Sequence, residues 1–193
     1  ILNRYGSLGP APGKRSRGEL VLDALDHADA KDAAHFLKDI DPGAYRPFNM
    51  LIADNRDAWW LAMKTDTSEI TLEPIPEGLS MFTAHDRNDT SDARIGAYLP
   101  LFQKALPPDP DSGDWASWKA LFGANTATGE PYTAMSFKTD SGFGTSSCGS
   151  HASSAERTSG DALPCGCGVP ARWAAASRPA STSTIGIGTG RST

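Results

Sequence analysis

The sequence holds no apolar stretch near the roughly 18 residues that a bilayer-spanning helix needs, which excludes a transmembrane reading. No charged leader with an apolar run and a small-residue cleavage site is present, so no signal peptide is read. Positive charge is in short supply: 18 Lys and Arg against 23 Asp and Glu leave a net charge of −5. Nucleic acid and anionic membrane surfaces are held by clustered cations that displace counterions, so neither is an expected partner. The basic run Lys14, Arg15 and Arg17 is too short to reverse that. Cysteine is scarce as well. The three at Cys148, Cys165 and Cys167 are odd in number and late in the chain, so they make no disulfide framework. A reducing, cytoplasmic setting is expected.

What is there fits one globular domain: 193 residues, 39% hydrophobic. The chain opens Ile1-Leu2-Asn3 without Met, inside what reads as an apolar strand, and is expected to be a fragment. Residues 1–144 carry apolar residues at helix or strand period with turn residues between them. From 145 to 193 the chain is mostly Ser, Thr, Gly, Ala, Pro and Arg. Such a tail buries too little to offset the entropy of ordering and is expected to be disordered.

Ser16 and Glu19 have the spacing of a capping box, which predicts a helix start. Leu20, Val21, Ala24, Leu25 and Ala28 then form one apolar stripe, and Ala33, Phe36, Leu37 and Ile40 a second. Asp41-Pro42-Gly43 ends the second helix. Residues 48–53 read as a buried strand, 54–57 as its turn and 58–63 as the returning strand. Ile70 and Leu72 alternate with polar residues in a further strand, and 79–84 is expected to be another antiparallel partner after a Pro76-Glu77-Gly78 turn. Ile95, Leu99, Phe102 and Leu106 lie on one helical face, which Pro100 must kink or delay. Asp114 is placed to cap a short helix with Trp115, Trp118 and Phe122 turned inward. Helices, antiparallel strands and helices again give an α+β order.

Five pieces form a pattern: Asn3 with Gly6-Ser7-Leu8-Gly9-Pro10, then Ser16-Arg17-Gly18-Glu19-Leu20-Val21, the segment YRPFNMLIAD at 45–54, Thr83-Ala84-His85-Asp86, and Gly142-Phe143-Gly144-Thr145. In order and spacing this resembles the NRDE family, also called the transport and Golgi organization 2 family, over residues 1–145. The resemblance implies an N-terminal Met-Cys, the Asn-Arg-Asp-Glu motif and a Gly-Gly-Thr-Trp segment, all before the point where this chain opens. Asn55-Arg56-Asp57 is not that motif, because Ala58 follows where Glu is required and turn residues explain it. After 145 the chain departs from the family, as a frame change in a GC-rich gene would make it do.

The family is similar to N-terminal-nucleophile hydrolases of the bile-salt hydrolase and penicillin acylase type. There an N-terminal Cys attacks an amide and its own α-amino group, titrating near neutral pH, is the base. The resemblance implies α+β architecture, a partial αββα sandwich with antiparallel sheets. It also makes Asn3 a candidate oxyanion donor, with simple capping of a strand as the alternative. His85 is the second candidate, as a hydrogen-bond donor or proton-transfer group, against a His-Asp pair that merely orders a turn. Asp86, Asn88, Asp89 and Asp92 crowd oxygen atoms together without the Gly and Glu of a calcium loop. The cysteines with His151 match no zinc spacing, and Gly186, Gly188 and Gly190 have no strand and helix around them to make a dinucleotide loop. Trp59, Trp60, Trp115 and Trp118 read as packing.

The expectation is an NRDE-family protein of unsettled activity, handling a small-molecule, haem or lipid ligand. The alternative is a cysteine amidase or acyl hydrolase whose nucleophile lies before Ile1. No cofactor, metal or nucleic acid is expected, and no oligomeric state is assigned.

Overall fold

The computed structural model describes residues 1–65, 69–108, 114–124, 133–138, 140, 143–154 and 181–191, with position 143 and the stretches 146–154 and 181–191 described as backbone. It is a mixed α/β structure. In chain order the elements are β1 (Leu2–Asn3), α1 (Gly18–Leu25), α2 (Ala30–Lys38), β2 (Phe48–Ala53), β3 (Ala58–Met63), β4 (Ile70–Pro74) and β5 (Gly78–Phe82). Then follow α3 (Ala93–Lys104), α4 (Ala116–Phe122), β6 (Phe143–Ser154) and β7 (Ser181–Arg191). No helix among the described residues is long and apolar enough to cross a membrane.

The first sheet has the order β1-β2-β3-β4 and is antiparallel throughout. Its centre is the β2–β3 hairpin, in register from Phe48 opposite Met63 to Ala53 opposite Ala58. Period-two alternation sends Phe48, Met50, Leu61, Met63 and Ile70 to one face, where Leu20 of α1 and Ala34 and Leu37 of α2 cover them. The opposite face carries Trp60 and Ala62, which pack with Ile75 and with Phe82 of β5. Beyond Phe82 the same strand sends Met81 the other way, into a cluster with Ile95, Tyr98, Leu99 and Phe102 of α3 and Trp118 of α4.

The hairpin turn is held by Asp54, whose Oδ1 accepts from the backbone N–H of Arg56 (2.7 Å) and Asp57 (2.8 Å). Its Oδ2 accepts from Ala30 N at 3.0 Å, tying the turn to the start of α2. Burial opposes ionisation of Asp54, but these backbone N–H groups and the Arg56 charge outweigh it and hold the carboxyl below its ordinary range.

Several expectations are corrected. The capping box does not form: Ser16 Oγ accepts from Gly18 N, and Glu19 pairs with Arg15 instead. Leu25 and Leu106 are exposed, at 75% and 79%, because Leu25 closes α1 and Leu106 lies past the end of α3, and Phe36 is half exposed against His27, off the α2 face that buries Ala30, Ala33, Ala34 and Leu37. Pro100 sits inside α3, which begins at Ala93. The segment at 79–84 does not join β4: Pro74 and Pro76 lack the N–H that a ladder needs, and the chain crosses to a second sheet.

That second sheet has the order β5-β7-β6, and its β5–β7 pair is parallel, so not every pairing is antiparallel. Strands at 143–154 and 181–191 also differ from the disorder expected after 145. Composition measured the poverty of large side chains, whereas a strand flanked on both sides satisfies its backbone by pairing, and Thr182, Thr184, Ile185, Ile187 and Thr189 are β-branched. Residues 155–180, with Cys165 and Cys167, lie outside the described residues.

Candidate functional site

The chain ends of β1 and β5 meet at one edge of the two sheets, where Tyr5 N donates to Ala84 O at 3.1 Å. Asn49 is the centre of what gathers there. It sits on β2 between Phe48 and Met50 and faces the opposite way from both, fully buried. Its Oδ1 accepts from Arg4 Nη1 at 2.6 Å and from Trp60 Nε1 at 3.2 Å. Its Nδ2 donates to Thr83 O at 3.0 Å and His85 O at 2.7 Å. With two donors and two acceptors engaged the amide is saturated, so its work is to fix the 83–86 segment against the first sheet.

Arg4 continues from Asn49 to Asp86, its Nη2 donating to Oδ1 at 2.6 Å, while Lys64 Nζ donates to Oδ2 at 2.6 Å. Arg4 is largely buried and Asp86 is 37% exposed. Burial pushes the Asp86 carboxyl up, but the hydrogen bonds and charges of Lys64 and Arg4 outweigh it and leave it below the ordinary carboxylate range. Two cations sharing one carboxylate hold it ionised.

His85 presents a partly exposed ring beside Tyr5, with ring centroids 5.9 Å apart. Its Nε2 lies 3.6 Å from Asp92 Oδ2 and its Nδ1 4.0 Å from Asp89 Oδ2. Asp92 is fixed because its Oδ1 accepts from Arg94 N and Ile95 N at the start of α3, and Thr83 Oγ1 donates to its Oδ2. At these distances neither contact is a hydrogen bond, and the ring, 37% exposed, lies between the two carboxylates and Tyr5. Asn88, at φ 54°, has its Oδ1 on Met81 N and its Nδ2 on Leu79 O, which covers the edge of β5. The oxygen-rich loop of the sequence is therefore organised by capping and pairing.

Asn3 is half-buried at the end of β1, opposite Phe48. Its side chain makes no hydrogen bond to another described residue, and that register position belongs to the face that α1 and α2 cover. The structure joins His85 to Asn49 and, through it, to Arg4, the neighbour of Asn3. Sequence reasoning missed Arg4, Asn49 and Lys64. Asn49 had a signal, an amide inside the apolar run 48–53. Arg4 and Lys64 had none, since their partner Asp86 is 82 and 22 residues away.

The other quoted pieces also bear on this region. Ser7 Oγ lies 2.7 Å from Arg4 O and 2.8 Å from Pro47 O, either of which can take its one O–H, and Arg17 Nη1 donates to Ser7 Oγ and Pro47 O. Gly144 lies so close to Phe137 O that a Cβ has no room, and Thr145 donates to Phe137 O and Met135 O. No family model matches the chain, and no curated protein or solved structure matches it.

Proposed function

We propose that this chain is an NRDE-family protein that binds a small hydrophobic ligand, of the haem or lipid kind, where β1, β2 and β5 converge. One observation carries the reading. Four of the five quoted pieces, separated by up to about eighty residues, are tied together through Arg4, Ser7, Arg17, Asn49 and His85, as a shared site requires. His85 is the proposed ligand-facing group, whereas Asn3, in register with Phe48, belongs to the other face of the sheet. The test is titration of the chain with haem, followed by its absorbance, and with a fluorescent fatty acid. His85→Ala is expected to weaken binding while circular dichroism stays unchanged. Affinity untouched by that substitution sinks the assignment.

A cysteine N-terminal-nucleophile amidase is the second reading. It is favoured by the succession of α1 and α2, the first sheet, β5 and then α3 and α4, which is the layer order of an αββα sandwich. On that reading none of Cys148, Cys165 and Cys167 is the nucleophile. Hydrolysis abolished by Cys148→Ser would overturn it.

A further inference from the structure

The loop at 5–10 is held by two arginines from outside it. Arg46 Nη1 donates to Leu8 O (2.8 Å), Gly9 O (3.0 Å) and Pro10 O (3.3 Å), and its Nη2 donates to Gly6 O at 3.0 Å. Arg17 reaches the neighbouring residue, with Nη1 on Ser7 Oγ at 3.0 Å and Pro47 O at 2.8 Å. All these acceptors are uncharged. Among the described residues neither guanidinium is in an ion pair, whereas Arg4, Arg15 and Arg56 each have a carboxylate. Burial and the adjacent Arg46 charge both work against the Arg17 cation. Half-burying two like charges side by side is costly unless an anion compensates them.

Donors remain for such an anion. A guanidinium has five N–H groups. Arg17 Nε and Nη2, and Arg46 Nε with one Nη2 hydrogen, are not committed to another described residue. The loop carbonyls fix the Arg46 guanidinium, and Ser7 Oγ with Pro47 O fixes that of Arg17; fixed guanidinium forks match phosphate oxygens. We propose that Arg17 and Arg46 form a binding site for a phosphate group, carried either by a lipid headgroup or by a free phosphate compound. This proposal does not depend on the family reading, although Arg17 also belongs, through Ser7, to the hydrogen-bonded network that reaches Arg4 and Asn49.

The probe is inorganic phosphate, with sodium chloride of equal ionic strength as control. Phenylglyoxal modification of the intact chain, read residue by residue by mass spectrometry, is expected to slow several-fold at Arg17 and Arg46 in phosphate and to be unchanged at exposed Arg56. Equal rates with and without phosphate overturn the site, and so does equal protection by chloride. The same phosphate is expected to raise the melting temperature of the chain and to lose that effect in Arg17→Gln. If that variant does not fold, the modification experiment on the unaltered chain decides alone. Co-sedimentation with phosphatidylcholine vesicles containing phosphatidic acid, competed by inorganic phosphate, assigns the group to a headgroup. Protection without co-sedimentation assigns it to a free phosphate.

Discussion

Consecutive residues of β2 lead into two different interiors. Phe48 and Met50 enter the layer between the first sheet and α1 and α2, where their neighbours are Leu20, Leu37, Leu61 and Met63. Asn49 enters the space facing the second sheet, where Trp60, Arg4 and the carbonyls of Thr83 and His85 receive it. The first interior is held by non-directional burial, so many apolar residues of similar size would serve it. The second has apolar packing of its own, Trp60 and Ala62 with Ile75 and Phe82, and adds four directional bonds on one amide; no other side chain supplies the same two donors and two acceptors at that length. Apolar burial is therefore shared by both faces of the strand, while directional bonding is concentrated on one.

The sharpest way to break that contrast is to truncate one residue on each face. Phe48→Ala removes a fully buried ring and is expected to cost about 3–5 kcal/mol in urea unfolding, while any ligand response that depends on His85 survives in the folded fraction. Asn49→Ala leaves Trp60 Nε1, one Arg4 donor and two carbonyls short of a partner, at about 1–3 kcal/mol. It is also expected to release the 83–86 segment, seen as faster amide hydrogen exchange at Ala84 and His85. A Phe48 variant that loosened this segment as much as the Asn49 variant would erase the distinction between the faces.

Acid separates the faces a second way. The Asp86 carboxyl is held below its ordinary range in the folded chain. Its contribution is therefore present above the unfolded value of about 3.9 and is lost as pH falls through the folded value. Stability of the chain minus that of Asp86→Asn is thus expected to be positive near neutral pH and to shrink below about pH 4. The difference is small, because Asp86 is 37% exposed and solvent screens the pair. Phe48→Ala bears no charge change at this site, so its cost should be flat across the same range. A difference for Asp86→Asn that is also flat would mean that Arg4 and Lys64 do not hold the ionised form.

The same contrast governs what could be read from sequence. The hairpin was legible to the residue, because alternation and a polar turn are local, and so were α2 and the inward face of α3. The route from β4 to β5 was not, since antiparallel neighbours in sequence usually pair and only the prolines at 74 and 76 hinted at a change of sheet. The strand at 181–191 was hidden by its small residues. At the site, His85 and Asp86 stood out as a polar pair after a strand. Arg4 and Lys64 did not, because what recruits them is a carboxylate brought near only by the packing of the two sheets.

The weakest effect tests the local end of this comparison. Ser16 and Glu19 carry the sequence signature of a capping box, worth about 1 kcal/mol where its serine bonds the helix backbone at the cap. In the structure Arg17 is the residue that precedes α1, with no side-chain cap bond, and Glu19 turns to Arg15, its Oε2 accepting from Nε at 2.8 Å. Both members of that pair are well exposed. Ser16→Ala therefore removes only an exposed contact to Gly18 N, and Glu19→Gln only a surface ion pair, each worth about 0.2–0.5 kcal/mol. Urea unfolding at low and high salt distinguishes the two, because the Glu19 effect should fade with salt and the Ser16 effect should not. A loss of about 1 kcal/mol in Ser16→Ala, insensitive to salt, would mean that the helix starts one residue earlier in solution and that the box closes after all.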